Sequence, residues 1–234
     1  MKKKLVFLLL LLSFMSLGFS QTITHEDRAY VENALVENSY DYLVQTVAMT
    51  RNCIVGIYGG NGFVSRKLPQ SLLDKIREYN NNAWNIYDIH IAENDEWVIV
   101  GDRVFCSANI PVECYNSIVD LVSTEGIQCV SFNSRGDWCV IGSNSWVSSP
   151  SVGSLLQEAN SIHGYIHYVH ITNTTTVVTC EDGYYSSVGW SVPIMQYVTS
   201  KLDEISWTPT ILKVFYDGTY FMANQAIGAW EAWF

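Results

Sequence analysis

One six-residue pattern returns five times along this chain: an apolar residue, three positions on another, and two further on a third. The copies are Val44-x-x-Val47-x-Met49, Ile86-x-x-Ile89-x-Ile91, Ile127-x-x-Val130-x-Phe132, Ile166-x-x-Val169-x-Ile171 and Ile211-x-x-Val214-x-Tyr216, with starts 42, 41, 39 and 45 residues apart. A fixed period of this length means that one supersecondary unit is used repeatedly, each copy burying its apolar surface against its neighbours. Each copy is followed by polar turn chemistry, such as Glu93-Asn94-Asp95, Ser134-Arg135-Gly136-Asp137 or Asp217-Gly218, which joins antiparallel strands. A second strand follows at Ile54 to Tyr58, Trp97 to Gly101, Trp138 to Gly142, Val177 to Cys180 and Tyr220 to Ala223, and a third at Phe63, Phe105, Trp146, Tyr184 and Trp230.

Prolines place the helices. Pro69, Pro111, Pro150 and Pro193 stand at one place in the unit, and proline is tolerated at the first helical position because its missing N–H has no partner there. Helical spacing then sets Leu72, Leu73, Ile76 and Tyr79 on one face, followed by Cys114, Ile118, Leu121 and Val122, by Leu155, Leu156 and Ala159, and by Met195, Val198 and Leu202. The unit is βββα, about 41 residues long. The fifth copy has no helix after it, whereas a spare helix precedes the first, opened by Thr24 and Asp27 in capping-box order and carrying Tyr30, Val31, Ala34 and Leu35. The expected fold is therefore an α+β repeat of five units closed into an α/β-propeller-like ring, the N-terminal helix completing the last unit. Closure removes exposed sheet edges. The alternative is an open α/β solenoid with capping ends. No Pro- or Ser-rich linker divides the repeats, so residues 21–234 read as one domain.

Residues 1–20 read as a signal peptide: Lys2 to Lys4, an apolar run from Leu5 to Leu12 extended by Phe14, Met15 and Leu17, then Gly18-Phe19-Ser20 as a small-residue cleavage site. The run is short for a membrane span, and no later stretch is apolar enough to be one. The protein is expected to be secreted or periplasmic. Removal of the leader leaves ten basic against 23 acidic side chains, a balance that excludes nucleic acid as a partner by bulk charge. Six cysteines, Cys53, Cys106, Cys114, Cys129, Cys139 and Cys180, would then meet an oxidising compartment, and the sequence leaves buried thiols and disulfides equally open. Their spacing suits no zinc site, and no motif asks for a cofactor.

Trp97-Val98-Ile99-Val100-Gly101 and Tyr58-Gly59-Gly60-Asn61-Gly62-Phe63, followed by Leu68-Pro69 and a helix, resemble uncharacterised exported bacterial proteins with tandem Trp-Val-rich, Asn-Gly-containing repeats. A unit read from its second strand is ββαβ, and five of these in a ring are similar to the pentein α/β-propeller. That second resemblance implies shape alone, because the Cys, His and acidic motifs of the amidine-modifying penteins find no residue-by-residue match here.

In the first strand of each unit, the residues between the apolar ones face the other way. They are Thr46 and Ala48, Asp88 and His90, Cys129 and Ser131, Tyr168 and His170, Lys213 and Phe215. If these strands surround an axis, Asp88, His90, Cys129, Ser131, Tyr168, His170 and Lys213 converge on a shared pocket suited to binding a polar ligand. The favoured function is an exported, non-catalytic repeat protein that binds a protein, a glycan or a small ligand. The rival is an enzyme with an axial pocket, hydrolytic or amidine-modifying, in which His90 or His170 would activate Cys129. His163, His167 and His170 cluster in sequence, but 167 and 170 fall on opposite strand faces. Trp97, Trp138 and Tyr220 share one place in the unit and read as core, while Trp190, Trp207, Trp230 and Trp233 are the candidates for an exposed aromatic patch.

Overall fold

The structure, a computed structural model, describes residues 22–234. The expected leader, residues 1–20, lies outside them. Five separate three-stranded antiparallel meanders follow one another along the chain. They are β1 (Val44–Met49), β2 (Ile54–Tyr58) and β3 (Gly62–Arg66); β4 (Ile86–Ile91), β5 (Trp97–Gly101) and β6 (Val104–Cys106); β7 (Ile127–Phe132), β8 (Trp138–Gly142) and β9 (Trp146–Ser148); β10 (Ile166–Ile171), β11 (Thr176–Cys180) and β12 (Gly183–Ser186); and β13 (Ile211–Val214), β14 (Tyr220–Asn224) and β15 (Ala229–Trp233). Every strand expected from the repeat is present.

The helices are α1 (His25–Asn38) before the first sheet, then α2 (Gln70–Asn81), α3 (Val112–Thr124), α4 (Pro150–His163) and α5 (Gln196–Glu204) between successive sheets. Thr24 caps α1 as its sequence requires: its hydroxyl accepts from the Asp27 N–H, and the Asp27 carboxylate accepts from the Thr24 N–H. The prolines do not all occupy the first helical position. Only Pro150 does so; Pro69 and Pro111 are N-cap residues with φ −51° and −52° and ψ 134° and 131°, and Pro193 opens a 3₁₀ turn that leads into α5. The N-cap requires an extended ψ, which the pyrrolidine ring permits.

Each helix from α2 to α5 is packed between the sheet before it and the sheet after it. Leu72, Ile76 and Tyr79 of α2 share a core with Val55 and Ile57 on one side and Ile89 and Ile99 on the other. Cys114, Ile118 and Leu121 of α3 do the same between Val98 and Val140, and Val198 of α5 between Val177 and Met222. Helix α1 lies on β2 and β3, where a Cβ on Gly56 would come within 2.7 Å of the Leu35 side chain, so the absence of a side chain there lets Leu35 seat directly on the first sheet. The sequence assigned α1 to the last unit; its principal packing is on the first. It nevertheless reaches the last unit too: one core cluster takes in Val31 and Leu35 of α1, Val47 and Ile54, and Phe221, Ala223 and Phe234. Arg28 of α1 donates to the Tyr216 hydroxyl at 2.5 Å and pairs with Asp217 at 2.7 Å.

All six cysteines are free thiols, and five of them are buried. Trp97, Trp138 and Tyr220 are buried core residues. The candidate aromatic patch is reduced to one pair: Trp190 and Trp207 pack against the core beside α5 and Trp230 against the core that holds α1, while Trp233 stays exposed beside the exposed Tyr197, ring centroids 4.2 Å apart and tilted. No helix among the described residues is long and apolar enough to cross a membrane.

Candidate functional site

The first strands of the units lie against one another, β1 on β4, β4 on β7, β7 on β10 and β10 on β13, with β1 also against β14. Their intervening side chains meet, as the alternation predicts, but they fill the space between the strands instead of lining a hollow. Thr46, Asp88, His90, Cys129, Ser131, Tyr168, His170 and Lys213 are all buried. The Lys213 ammonium is completely enclosed and uses each of its three protons: on Asp88 Oδ1 at 2.7 Å, on Thr46 Oγ1 at 2.8 Å and on the Ile89 carbonyl at 2.8 Å. Thr46 in turn donates to Asp88 Oδ1 at 2.7 Å, and Tyr168 donates to Asp88 Oδ2 at 2.7 Å. Four units thus converge on one carboxylate. Removing one member of such a buried pair leaves an uncompensated charge and costs about 3–5 kcal/mol.

Toward the hairpin-turn end of the same strands lies a second buried group. His90 sits with its Nε2 2.6 Å from the Phe132 carbonyl and its Nδ1 3.2 Å from the Ser131 hydroxyl, which accepts from the Ile171 N–H at 2.8 Å. His170 stands edge-on to both His90 and Phe215, at 5.6 Å from each. Burial pushes the His90 pKa down to about 4, since a dehydrated imidazolium is unfavourable and the nearby Lys213 charge disfavours it further. His170 is driven down more strongly, first by burial and then by His90 and Lys213. Cys129 donates its thiol proton to the Val169 carbonyl at 3.3 Å, and burial raises its pKa far above the ordinary thiol value. A neutral, enclosed thiol is a packing group, not a nucleophile. All seven nominated residues are therefore brought together, and most of them are sealed.

Two of them reach an opening. A depression of about 320 Å³ at the entry end of the inner strands has Asp88 and Tyr168 among its lining, and its wall carries Tyr87, Gln128, His167, Thr210 and Gln225. Three strands deliver Tyr87, Gln128 and His167 to this wall in the same way. In β1, β4, β7 and β10 the pairing register slips by one residue between positions one and three, leaving Gln45, Tyr87, Gln128 and His167 as β-bulges. A bulge re-aims the extra side chain out of the pleat. Strand β13 has no bulge, and there Thr210, Ile211 and Gln225 supply the wall; Gln225 donates from Nε2 to the Gln45 carbonyl and side-chain oxygen at 3.1 and 3.0 Å.

One aromatic side chain in the wall is well exposed. Tyr87 is 45% exposed, and its hydroxyl donates to Asp102 at 2.5 Å, an interaction that raises the phenol's pKa. Asp102 is held below the usual carboxylate range by the Asn85 N–H and by Tyr87. Tyr165 lies edge-on to His167 at 5.3 Å. Expectation from alternation alone passed over these bulged positions. Four copies do carry a polar or hydroxylated residue directly after the first apolar one, Gln45, Tyr87, Gln128 and His167, but that residue type alone does not mark a bulge.

A groove of about 600 Å³ between β6 and α3 is larger, but it belongs to a single unit boundary and is walled by Val104, Phe105, Val119 and Val122. Among the described residues no three His, Cys, Asp or Glu side chains come together as a metal ion would require. No protein-family model and no curated protein matches the chain.

Proposed function

We propose that the five units close around a common axis and that the protein is an exported, non-catalytic binding protein that takes a small polar ligand in the cup at one end of that axis. Closure is supported by the contact of β1 with β14, by the Lys213–Thr46 hydrogen bond and by the bonds of Arg28 to Tyr216 and Asp217, all of which join the first unit or its helix to the last. Export rests on the amino-terminal sequence, and the resemblance to exported tandem-repeat proteins on the Tyr58–Phe63 and Trp97–Gly101 segments.

The observation that carries the binding reading is the repeated bulge, which in β4, β7 and β10 sets Tyr87, Gln128 and His167 in the wall of one opening. A bulge interrupts ladder hydrogen bonding, and bulges concentrate at functional rims. An axis built only for packing would need none, as β13 illustrates. The enzymatic alternative loses its nucleophile, because Cys129 is sealed behind Tyr168 and Val169 with its proton in place.

The test is a nuclear magnetic resonance titration of the protein with acetamide, glycerol, acetate and imidazole in turn. Shifts concentrated on the side chains of Gln128, His167 and Gln225, and abolished by Gln128→Trp, support the cup as the ligand site. Shifts gathered at another surface, or unaffected by that bulky side chain, would overturn it.

A further inference from the structure

We propose, on the footing that the axial cup is the binding site, that its ligand is the end of a neutral saccharide. The inference comes from what the wall offers and from what it withholds. Two carboxamides line the opening, those of Gln128 and Gln225, and the second is braced by Gln45, to whose carbonyl and Oε1 it donates. The Gln128 carboxamide places a donor and an acceptor side by side in one plane, the arrangement that neighbouring sugar hydroxyls can answer with one acceptor and one donor, while Gln225, its N–H groups engaged by Gln45, offers its Oε1 as an acceptor. Thr210 adds a hydroxyl, and His167 a ring nitrogen of each kind. A sugar also has apolar C–H faces, and the wall supplies a flat ring of matching character in Tyr87, 45% exposed. Tyr87 is held in place by its bond to Asp102, so little side-chain freedom is lost when a ligand settles on it.

What the wall withholds is charge. The one carboxylate in the lining, Asp88, is already engaged by Lys213, Thr46 and Tyr168, and the Lys213 ammonium is saturated. A cationic ligand would find no free anion and an anionic one no free cation, so burying either here would leave its charge uncompensated. A volume of about 320 Å³, at the small end of the range for ligand sites, admits the terminus of a chain and not a macromolecular face.

The experiment is isothermal titration of the protein with the neutral disaccharides maltose, cellobiose and lactose, beside glucosamine and glucuronate as charged counterparts. The expected result is saturable binding of at least one neutral sugar, at least tenfold tighter than either charged one. Tyr87→Ala should weaken it about tenfold or more, while Tyr87→Phe, which keeps the ring and gives up the Asp102 bond, should stay within about threefold; each tenfold step corresponds to about 1.4 kcal/mol. Binding led by glucosamine or glucuronate, or by no sugar at all, overturns the saccharide assignment while leaving the cup's fragment shifts standing. Sugar binding insensitive to both Tyr87→Ala and Gln128→Trp overturns the assignment and the site together.

Discussion

His90 and His170 are buried as neutral groups, and this ties the protein's stability to pH. In the unfolded chain an imidazole takes up a proton as pH falls through about 6.5, whereas in the folded protein His90 resists until about 4. Between those values the unfolded state binds the extra proton, so stability is complete above about 6.5 and declines as the solution is acidified. For His90 the loss amounts to about 3 kcal/mol by pH 4, with His170 adding in the same direction. Carboxylates that are stabilised in the fold act lower: Asp27, held at about 2 by Lys67 and the Thr24 N–H, gives up its contribution only below pH 4. Urea midpoints measured at pH 7, 5.5 and 4.5 should therefore fall steadily, and His90→Gln should flatten the fall by close to one proton. A midpoint that is constant across this range would contradict the buried neutral imidazoles. The sequence showed these residues on one strand face, and they are on it. It could not show whether that face was wet, because alternation of apolar and polar residues is equally the pattern of a half-solvated strand. Burial was decided by partners 40 to 170 residues away, such as Lys213 for Thr46 and Tyr168 for Asp88.

Elements were legible to the extent that their information is local. Fifteen strands and the capped helix α1 follow from turn residues, period and capping chemistry. The bulges were missed because they exist only relative to a partner strand: nothing in Ile127-Gln128-Cys129 says that Ile127 will oppose Gly142 while Cys129 opposes Ile141. Their consequence for strand β7 is sharp. Deleting Gln128 removes the extra residue and leaves the uninterrupted register that β13 already shows, so the variant should fold, with a melting temperature within about 10 °C of the parent, and should lose ligand binding. Deleting Val130 instead shifts the inward and outward sets of β7 by one and sends Cys129 or Ser131 to the wrong face, so that variant should not fold. Circular dichroism melts of the two would separate them. Equal damage from both deletions would mean that the bulge is structural and not a device for the cup.

At the scale of the whole molecule, the period announces the architecture and the axis gives it meaning. Helices α2 to α5 each sit between two sheets, and α1 repeats that placement with the first sheet on one side and the Phe221–Phe234 core and Arg28 partners on the other. The central Asp88 accepts from Thr46, Lys213 and Tyr168, so units one, two, four and five all hold the same carboxylate. An open array offers its first and last units no such meeting. A closed ring would also account for a polar cup that gathers residues from β4, β7, β10 and β13. The measurement that bears on this most directly is the stability of a circular permutant in which Phe234 is joined by a short glycine-serine linker to Thr22 and the chain is opened at the exposed Ser143–Asn144 turn. A closed ring predicts a cooperative unfolding transition at nearly the parent midpoint and an unchanged set of cup shifts, because every unit keeps both neighbours. A permutant that is unfolded, or that melts in separate steps with its first and last units independent, would contradict it.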